Sequence, residues 1–314
     1  MSRQNCEKKD QEYDIWLHWI LTYKCNLGCA YCFNKSRLKN LKNTGSSRQL
    51  IKNYLLKFVT GQANVSKINT HALLKTLDRT GKIFRLELSG GGEPFLVSNI
   101  IGACAEITKK HYIGVVTNLT SEKIREFCML IDPGRVLSII ASLHIKELER
   151  AGLISRYIDN FLLCREKRFN VTAWEVAYPQ LLAQAEEYVR FFEEKGIKLN
   201  FRPFCGRYNE KLYPGDYTPQ EMKVFGLDIS DIKKFYQKGN ICNAGYNTAV
   251  VLPNGEIHTC FRINENIGNI YTGIRLKSAM ITCPLDYCDC PLNALDPYFF
   301  QKTLEKNAAK IINN

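Results

Sequence analysis

The sequence predicts an α/β fold: six strands alternate with helices to residue 205, and a small cysteine-rich β-hairpin region follows. Three observations predict it. Six apolar, β-rich runs stand before residue 206. Segments with helical spacing lie between them. After Phe204 the texture changes to Gly, Pro and Tyr, and a second group of cysteines begins at Cys242.

The strand runs, in order, are "IWLHWILT" (15–22), "IFRLELSG" (83–90), "YIGVVTN" (112–118), "VLSIIASLH" (136–144), "NVTAWEVAY" (170–178) and "KLNFRPF" (198–204). Most are nearly continuous in apolar character, which suits a parallel sheet covered on both faces. Helices are expected over 46–60, 67–79, 121–131, 146–167 and 180–195. In the last, Leu181, Ala185, Tyr188, Val189 and Phe192 share one face, and Gly196 stands where a C-cap glycine belongs. Repeated alternation of this kind gives a right-handed α/β barrel or open sheet. "GRYNEKLYPGDYTPQ" reads as a linker. "TAVVLPNGEIHTCF" reads as a hairpin turning at Asn254–Gly255. The expected organisation is an arm (1–12), a barrel (13–205), a linker with helix (206–240), a cysteine-rich domain (241–295) and a helical tail (296–314).

The chain has 314 residues, 45% of them hydrophobic and 24% charged, an ordinary globular composition. No apolar run approaches the roughly 20 residues of a membrane span. The start, "MSRQNCEKKDQEYD", is charged and lacks a signal-peptide core, so a cytoplasmic location is expected. The net charge of +12 fits a substrate carrying anionic groups. No run of five or six basic residues occurs, so neither a nucleic-acid partner nor a membrane is expected. Thirteen cysteines is the outlier, and a reducing compartment argues against a disulfide framework. Cys6, Cys104, Cys128, Cys164 and Cys205 stand singly, as small buried apolar side chains do.

In α/β sheets chemistry gathers at the C-terminal strand ends. "TYKCNLGCAYCFN" follows the first strand, "SGGGEP" (89–94) the second, "TNLT" (117–120) the third, and "SLH" (142–144) ends the fourth. Cys25, Cys29 and Cys32 on one short loop can hold three irons of a cubane cluster and leave the fourth open to a ligand. Zinc, completed by His18 or His144, is the competing reading.

The spacing C-x3-C-x2-C, with Tyr31 just before the third cysteine, resembles the signature of the radical S-adenosylmethionine (SAM) superfamily. "GGEP" at 91–94 is similar to that family's GGE motif. The resemblance covers about residues 13–205 and implies a partial (β/α)6 barrel. It implies a [4Fe–4S] cluster on Cys25, Cys29 and Cys32, with SAM on the open iron. Gly91, Gly92 and Glu93 would then engage the SAM amino group; by position Tyr31 would meet the adenine, and Asn118 and Ser142 either the ribose or carboxylate or only local turn hydrogen bonds. The implied chemistry is one-electron cleavage of SAM to a 5′-deoxyadenosyl radical that takes a hydrogen atom from the substrate, fed by a flavodoxin- or ferredoxin-type donor. His144 is a candidate general base or an ordinary loop histidine.

Cys242, Gly255 and Cys260 form C-x12-G-x4-C. This resembles the opening of the SPASM domain, which holds auxiliary [4Fe–4S] clusters. Only Cys283, Cys288 and Cys290 follow, too few for two complete clusters. The resemblance therefore implies a shortened, twitch-type domain with one auxiliary cluster on Cys242, Cys260, Cys288 and Cys290, with Cys283 as the alternative. Structural zinc is again the other reading.

Two substrate classes remain. The single-cluster form is similar to enzymes that oxidise small sugar-like molecules, and a nucleotide-linked substrate would suit the basic charge. The alternative is a ribosomal peptide, crosslinked or epimerised; Cys205 would be the hydrogen donor of an epimerase. A third reading, without catalysis, makes both groups zinc sites in a nucleic-acid-binding protein.

Overall fold

The computed structural model describes residues 12–32, 67–89, 91–263, 265–288 and 296–312. The helix expected over 46–60, Cys6 and Cys290 lie outside the described residues.

All six expected strands are present. They are β1 (Ile15–Ile20), β2 (Phe84–Ser89), β3 (Tyr112–Thr117), β4 (Val136–Ser142), β5 (Val171–Ala177) and β6 (Leu199–Pro203). They pair in parallel and in chain order. Helices join them: α1 (Thr70–Asp78), α2 (Ile100–Thr108), α3 (Lys123–Leu130), α4 (Ile145–Ala151), α5 (Ile154–Glu166) and α6 (Ala185–Glu194). This is a mixed α/β fold with a parallel sheet, a partial barrel. The single helix expected over 146–167 is two. Gly152, at φ +65°, ends α4 in the left-handed region, and α5 starts two residues later. Residues 179–184 are a 3-10 turn ahead of α6.

Burial follows the strand period. Trp16 and His18 share a face of the sheet with Arg85 and Glu87, and the Arg85 guanidinium lies 4.5 Å from the Trp16 ring centre. Leu17, Trp19, Leu86 and Leu88 occupy the other face and are buried in the main core. The second strand therefore hides an ion pair inside an apolar run. Arg85 donates twice to Glu87 Oε2, at 2.9 and 2.7 Å.

The stretch expected to be a linker is folded. It contains β7 (Gly206–Tyr208) and β8 (Lys211–Tyr213), and the helical part expected within 206–240 is present as α7 (Pro219–Phe225) and α8 (Ile229–Lys233). The reason is aromatic. Tyr213 and Tyr217 are buried, and the Tyr217 hydroxyl takes the Phe204 N–H at 2.8 Å. Thr218 and Glu221 cap α7 reciprocally.

The expected hairpin is β10 (Thr248–Val251) and β11 (Glu256–His258), antiparallel around Gly255 at φ +84°. β10 also pairs in parallel with β1. With β12 (Asn266–Asn269) and β13 (Gly273–Ile274) it extends the barrel sheet to ten strands. β9 (Ile241–Cys242) and β14 (Ile281–Thr282) form a separate pair. The last helix, α9 (Pro297–Ile312), packs Phe299 on Tyr13 at 4.6 Å between ring centres. Among the described residues no helix is long and apolar enough to cross a membrane.

Candidate metal centre

The cysteine loop leaves β1 at the rim and is held from three strand ends. The β1–β2 pairing runs one step past the strand, with the Leu21 N–H on the Ser89 carbonyl. Glu93 N–H then donates to the Lys24 carbonyl at 2.8 Å. Gly92 is needed for that approach, because a Cβ there would stand 2.0 Å from the Lys24 oxygen.

Glu93 is 2% exposed and its carboxylate is engaged by the protein. Oε1 accepts from Phe95 N–H at 3.1 Å and Thr117 Oγ1 at 2.8 Å, and Oε2 accepts from Asn118 N–H at 2.8 Å. Burial raises its pKa against the pull of those three donors. Glu93 thus ties the end of β2 to the end of β3.

Asn118 carries the connection back to the loop. Its Nδ2 donates to Asn26 Oδ1 at 2.8 Å and lies 3.9 Å from Cys25 Sγ. Asn26 Nδ2 donates to Thr120 Oγ1 at 2.9 Å, and Thr120 Oγ1 donates to Asn118 Oδ1 at 2.7 Å. The three side chains close a ring. Cys25 Sγ also takes the Leu27 N–H at 3.4 Å.

The far end of the loop has its own anchor. Tyr31 donates its hydroxyl to Glu175 Oε1 at 2.9 Å and stands 2.9 Å from His144 Nδ1. Glu175, 2% exposed, also accepts from Ile145 N–H at the start of α4 and from its neighbour Val176 N–H. Burial pushes the Glu175 carboxyl up to about 7 and the His144 imidazole down to about 4. Glu175 was not legible as a site residue. It is one acidic side chain in "NVTAWEVAY", with no motif around it.

The donor set fits a cationic cluster. Burial pushes the Cys29 thiol up to about 12, with Cys25 and Cys32 adding to the rise, and Cys25 is raised for the same reason. Neighbouring sulfurs that resist ionisation together are stabilised as thiolates when they bind metal cations. Among the described residues no three His, Cys, Asp or Glu side chains converge on a point that would hold a single metal ion. A cubane asks for less convergence, because each thiolate binds a different iron.

The other expected residues are dispersed along the rim. Gly91 adjoins the contact with Lys24, and Ser142 ends β4, partly exposed. Cys205 lies past the end of β6, its sulfur 3.9 Å from the Pro203 carbonyl oxygen.

In the second group, Cys242 and Cys260 pack against one small core of Ile20, Ala244 and Val250. Cys260 Sγ takes the N–H groups of Arg262 and Ile263 at 3.4 and 3.2 Å. Cys283 follows β14, the strand paired with the one that carries Cys242. Cys288 is buried, and its N–H reaches the Phe235 carbonyl.

No family model matches the chain, and no curated protein matches it. Solved structures do. SuiB of Streptococcus suis bound to S-adenosylmethionine is 17% identical, with a TM-score of 0.49 over 83% of this chain and 62% of that one. The chain thus spans less than two thirds of SuiB. Histidine-tagged anSMEcpe with bound AdoMet is 16% identical, with a TM-score of 0.52 over 82% of this chain and 74% of that one. Native anSMEcpe with bound AdoMet and Kp18Cys peptide is 16% identical, with a TM-score of 0.51 over 82% of this chain and 78% of that one. At such identity the likeness is one of fold. What they share is the fold, a partial barrel of parallel strands, and the likeness reaches no further.

Proposed function

We propose that this chain is a radical SAM enzyme. One observation carries the reading: the three-cysteine loop stands at the C-terminal rim of six parallel strands, bonded to the ends of β2 and β3 through Glu93 and Asn118. Cys25, Cys29 and Cys32 would hold a [4Fe–4S] cluster with one iron left to SAM. When bound, the pair supplies a 5′-deoxyadenosyl radical that removes a hydrogen atom from the substrate. The chain's own residues position that chemistry. Gly92 lets the Lys24 carbonyl close on the backbone and so seats the cysteine loop, with Gly91 beside it for the SAM amino group. Glu93 holds the rim together, with a remaining lone pair for an ammonium. Tyr31, fixed by Glu175, offers its ring to the adenine, and Ser142 offers a hydroxyl at the β4 end. The electron comes from a low-potential flavodoxin- or ferredoxin-type donor, and the setting is cytoplasmic.

Residues 241–295 form, on this reading, a twitch-type domain with one auxiliary [4Fe–4S] cluster. Cys242 and Cys260 are ligands, and Cys283, Cys288 and Cys290 supply the other two. The substrate is a small sugar-like or nucleotide-linked molecule oxidised with the auxiliary cluster as electron acceptor or substrate anchor. A peptide substrate is the second reading, favoured by the anSMEcpe structure that holds a peptide beside AdoMet.

Anaerobic reconstitution with iron and sulfide tests the proposal. About eight irons per chain and release of 5′-deoxyadenosine from SAM are expected, four irons to each cluster. Zinc without iron, or iron without SAM cleavage, would sink it.

A further inference from the structure

We propose that Asn118 is a positioning residue that tunes the reduction potential of the metal centre at Cys25. It does so by donating an N–H to the Cys25 sulfur from the closed ring it forms with Asn26 and Thr120. The inference rests on the radical SAM reading and goes beyond it, since ligand contact is the role the resemblance gives Asn118.

The geometry restricts what Asn118 can do. Its N–H is fixed by Glu93 Oε2, so its backbone cannot turn. Its Oδ1 accepts from both Thr120 N–H at 3.1 Å and Thr120 Oγ1 at 2.7 Å. Those two bonds settle which end of the amide is oxygen. The NH2 end therefore faces the cysteine loop. One of its hydrogens serves Asn26 Oδ1, and the other lies toward Cys25 Sγ, 3.9 Å away. Asn118 is 4% exposed and approaches the exposed Cys25 from the buried side, so the contact is half-buried. An oriented donor there acts on nearby charge more strongly than one in water.

Reduction by one electron makes the centre more negative, and hydrogen bonds to its sulfurs favour that state. Asn118 and the Leu27 N–H both point at Cys25. Removing the Asn118 donor leaves the Leu27 bond and all three thiolates in place. The centre should then still assemble, at a more negative potential.

The test is a mediated potential titration of reconstituted protein followed by electron paramagnetic resonance. The signal to follow is the one that SAM addition changes, which assigns it to the centre at Cys25. Asn118→Leu removes both the donor and the ring. Asn118→Asp keeps the size and the acceptor oxygen for Thr120 while losing the N–H. Both variants should retain iron, and at a fixed potential the ratio of reduced to oxidised centre should fall about tenfold, about 59 mV for a one-electron couple. Thr120→Val, which opens the ring away from the sulfur, should move the ratio less. Iron-loaded variants with an unchanged potential overturn the inference. Loss of iron from both variants overturns it too, because Asn118 would then serve assembly rather than tuning. If the unaltered protein takes up no iron, the functional reading itself fails.

Discussion

Glu93 shows how a motif residue can belong to the scaffold. Three donors point at its carboxylate, two on Oε1 and one on Oε2. In Glu93→Gln an amide NH2 must replace one oxygen. If it faces Asn118 N–H, two donors meet. The variant should lose about 1–3 kcal/mol of stability, the cost of a buried group left unpaired. Urea unfolding of the metal-free protein measures this. An unchanged midpoint would mean that Glu93 is not a strut. The cysteines themselves were legible because their spacing is a chemical statement. Glu175 was not, because nothing local distinguishes a buried anchor from a surface acid in a strand. Arg85 and Glu87 were hidden for the same reason, inside an otherwise apolar run.

Elements were legible where their physics is local. The six parallel strands carry β-rich apolar runs, and each is found within two residues of where that pattern put it. Segment 206–217 misled, since its Gly and Pro count outweighed Tyr213 and Tyr217, which seek burial. The pairing of β1 with β10 was out of reach, because its partners lie more than 200 residues apart. The contact between β2 and the start of α9 is equally non-local. Arg85 Nη1 donates to Asp296 Oδ2 at 2.8 Å, and Tyr13 donates to the same oxygen at 3.0 Å. Asp296→Asn leaves Arg85 its pair with Glu87 and should cost about 1–3 kcal/mol. Arg85→Met leaves Glu87 buried without its cation, while Asp296 keeps Tyr13 and the Phe299 N–H, and should cost more, on the order of 3–5 kcal/mol. Equal unfolding midpoints for the two would show that the network is not shared. In the second region, Cys242→Ala should lower the iron count from about eight to about four while 5′-deoxyadenosine release continues. A variant that keeps all its iron would remove Cys242 from the ligand set.

At the scale of the whole molecule, buried histidines set the response to acid. His18, His111 and His144 are each lowered to about 4, chiefly by burial, against an ordinary value of about 6.5. Each is neutral when folded and takes up a proton more readily when unfolded. Their contribution to stability is therefore present above pH 6.5 and is lost as the pH falls from about 6.5 toward 4. Glu175 acts the other way. Its folded value of about 7 lies above its unfolded one, so falling pH favours the folded state through that group. Glu93, also raised by burial, acts in the same direction, so three histidines oppose two carboxyls, and the histidines should win. The urea midpoint of the metal-free protein should drop between about pH 7 and about pH 5. In Glu175→Gln that group's opposing contribution is gone, so the drop should be steeper. A midpoint that stays level across that range, or a shallower drop in Glu175→Gln, would show that these buried groups do not govern acid stability. The same substitution separates two roles at the rim. Gln keeps one acceptor oxygen, which can serve Tyr31, while its NH2 meets the Ile145 N–H at a cost of about 1–3 kcal/mol, so the cysteine loop should keep its Tyr31 anchor and its iron while the pH response changes.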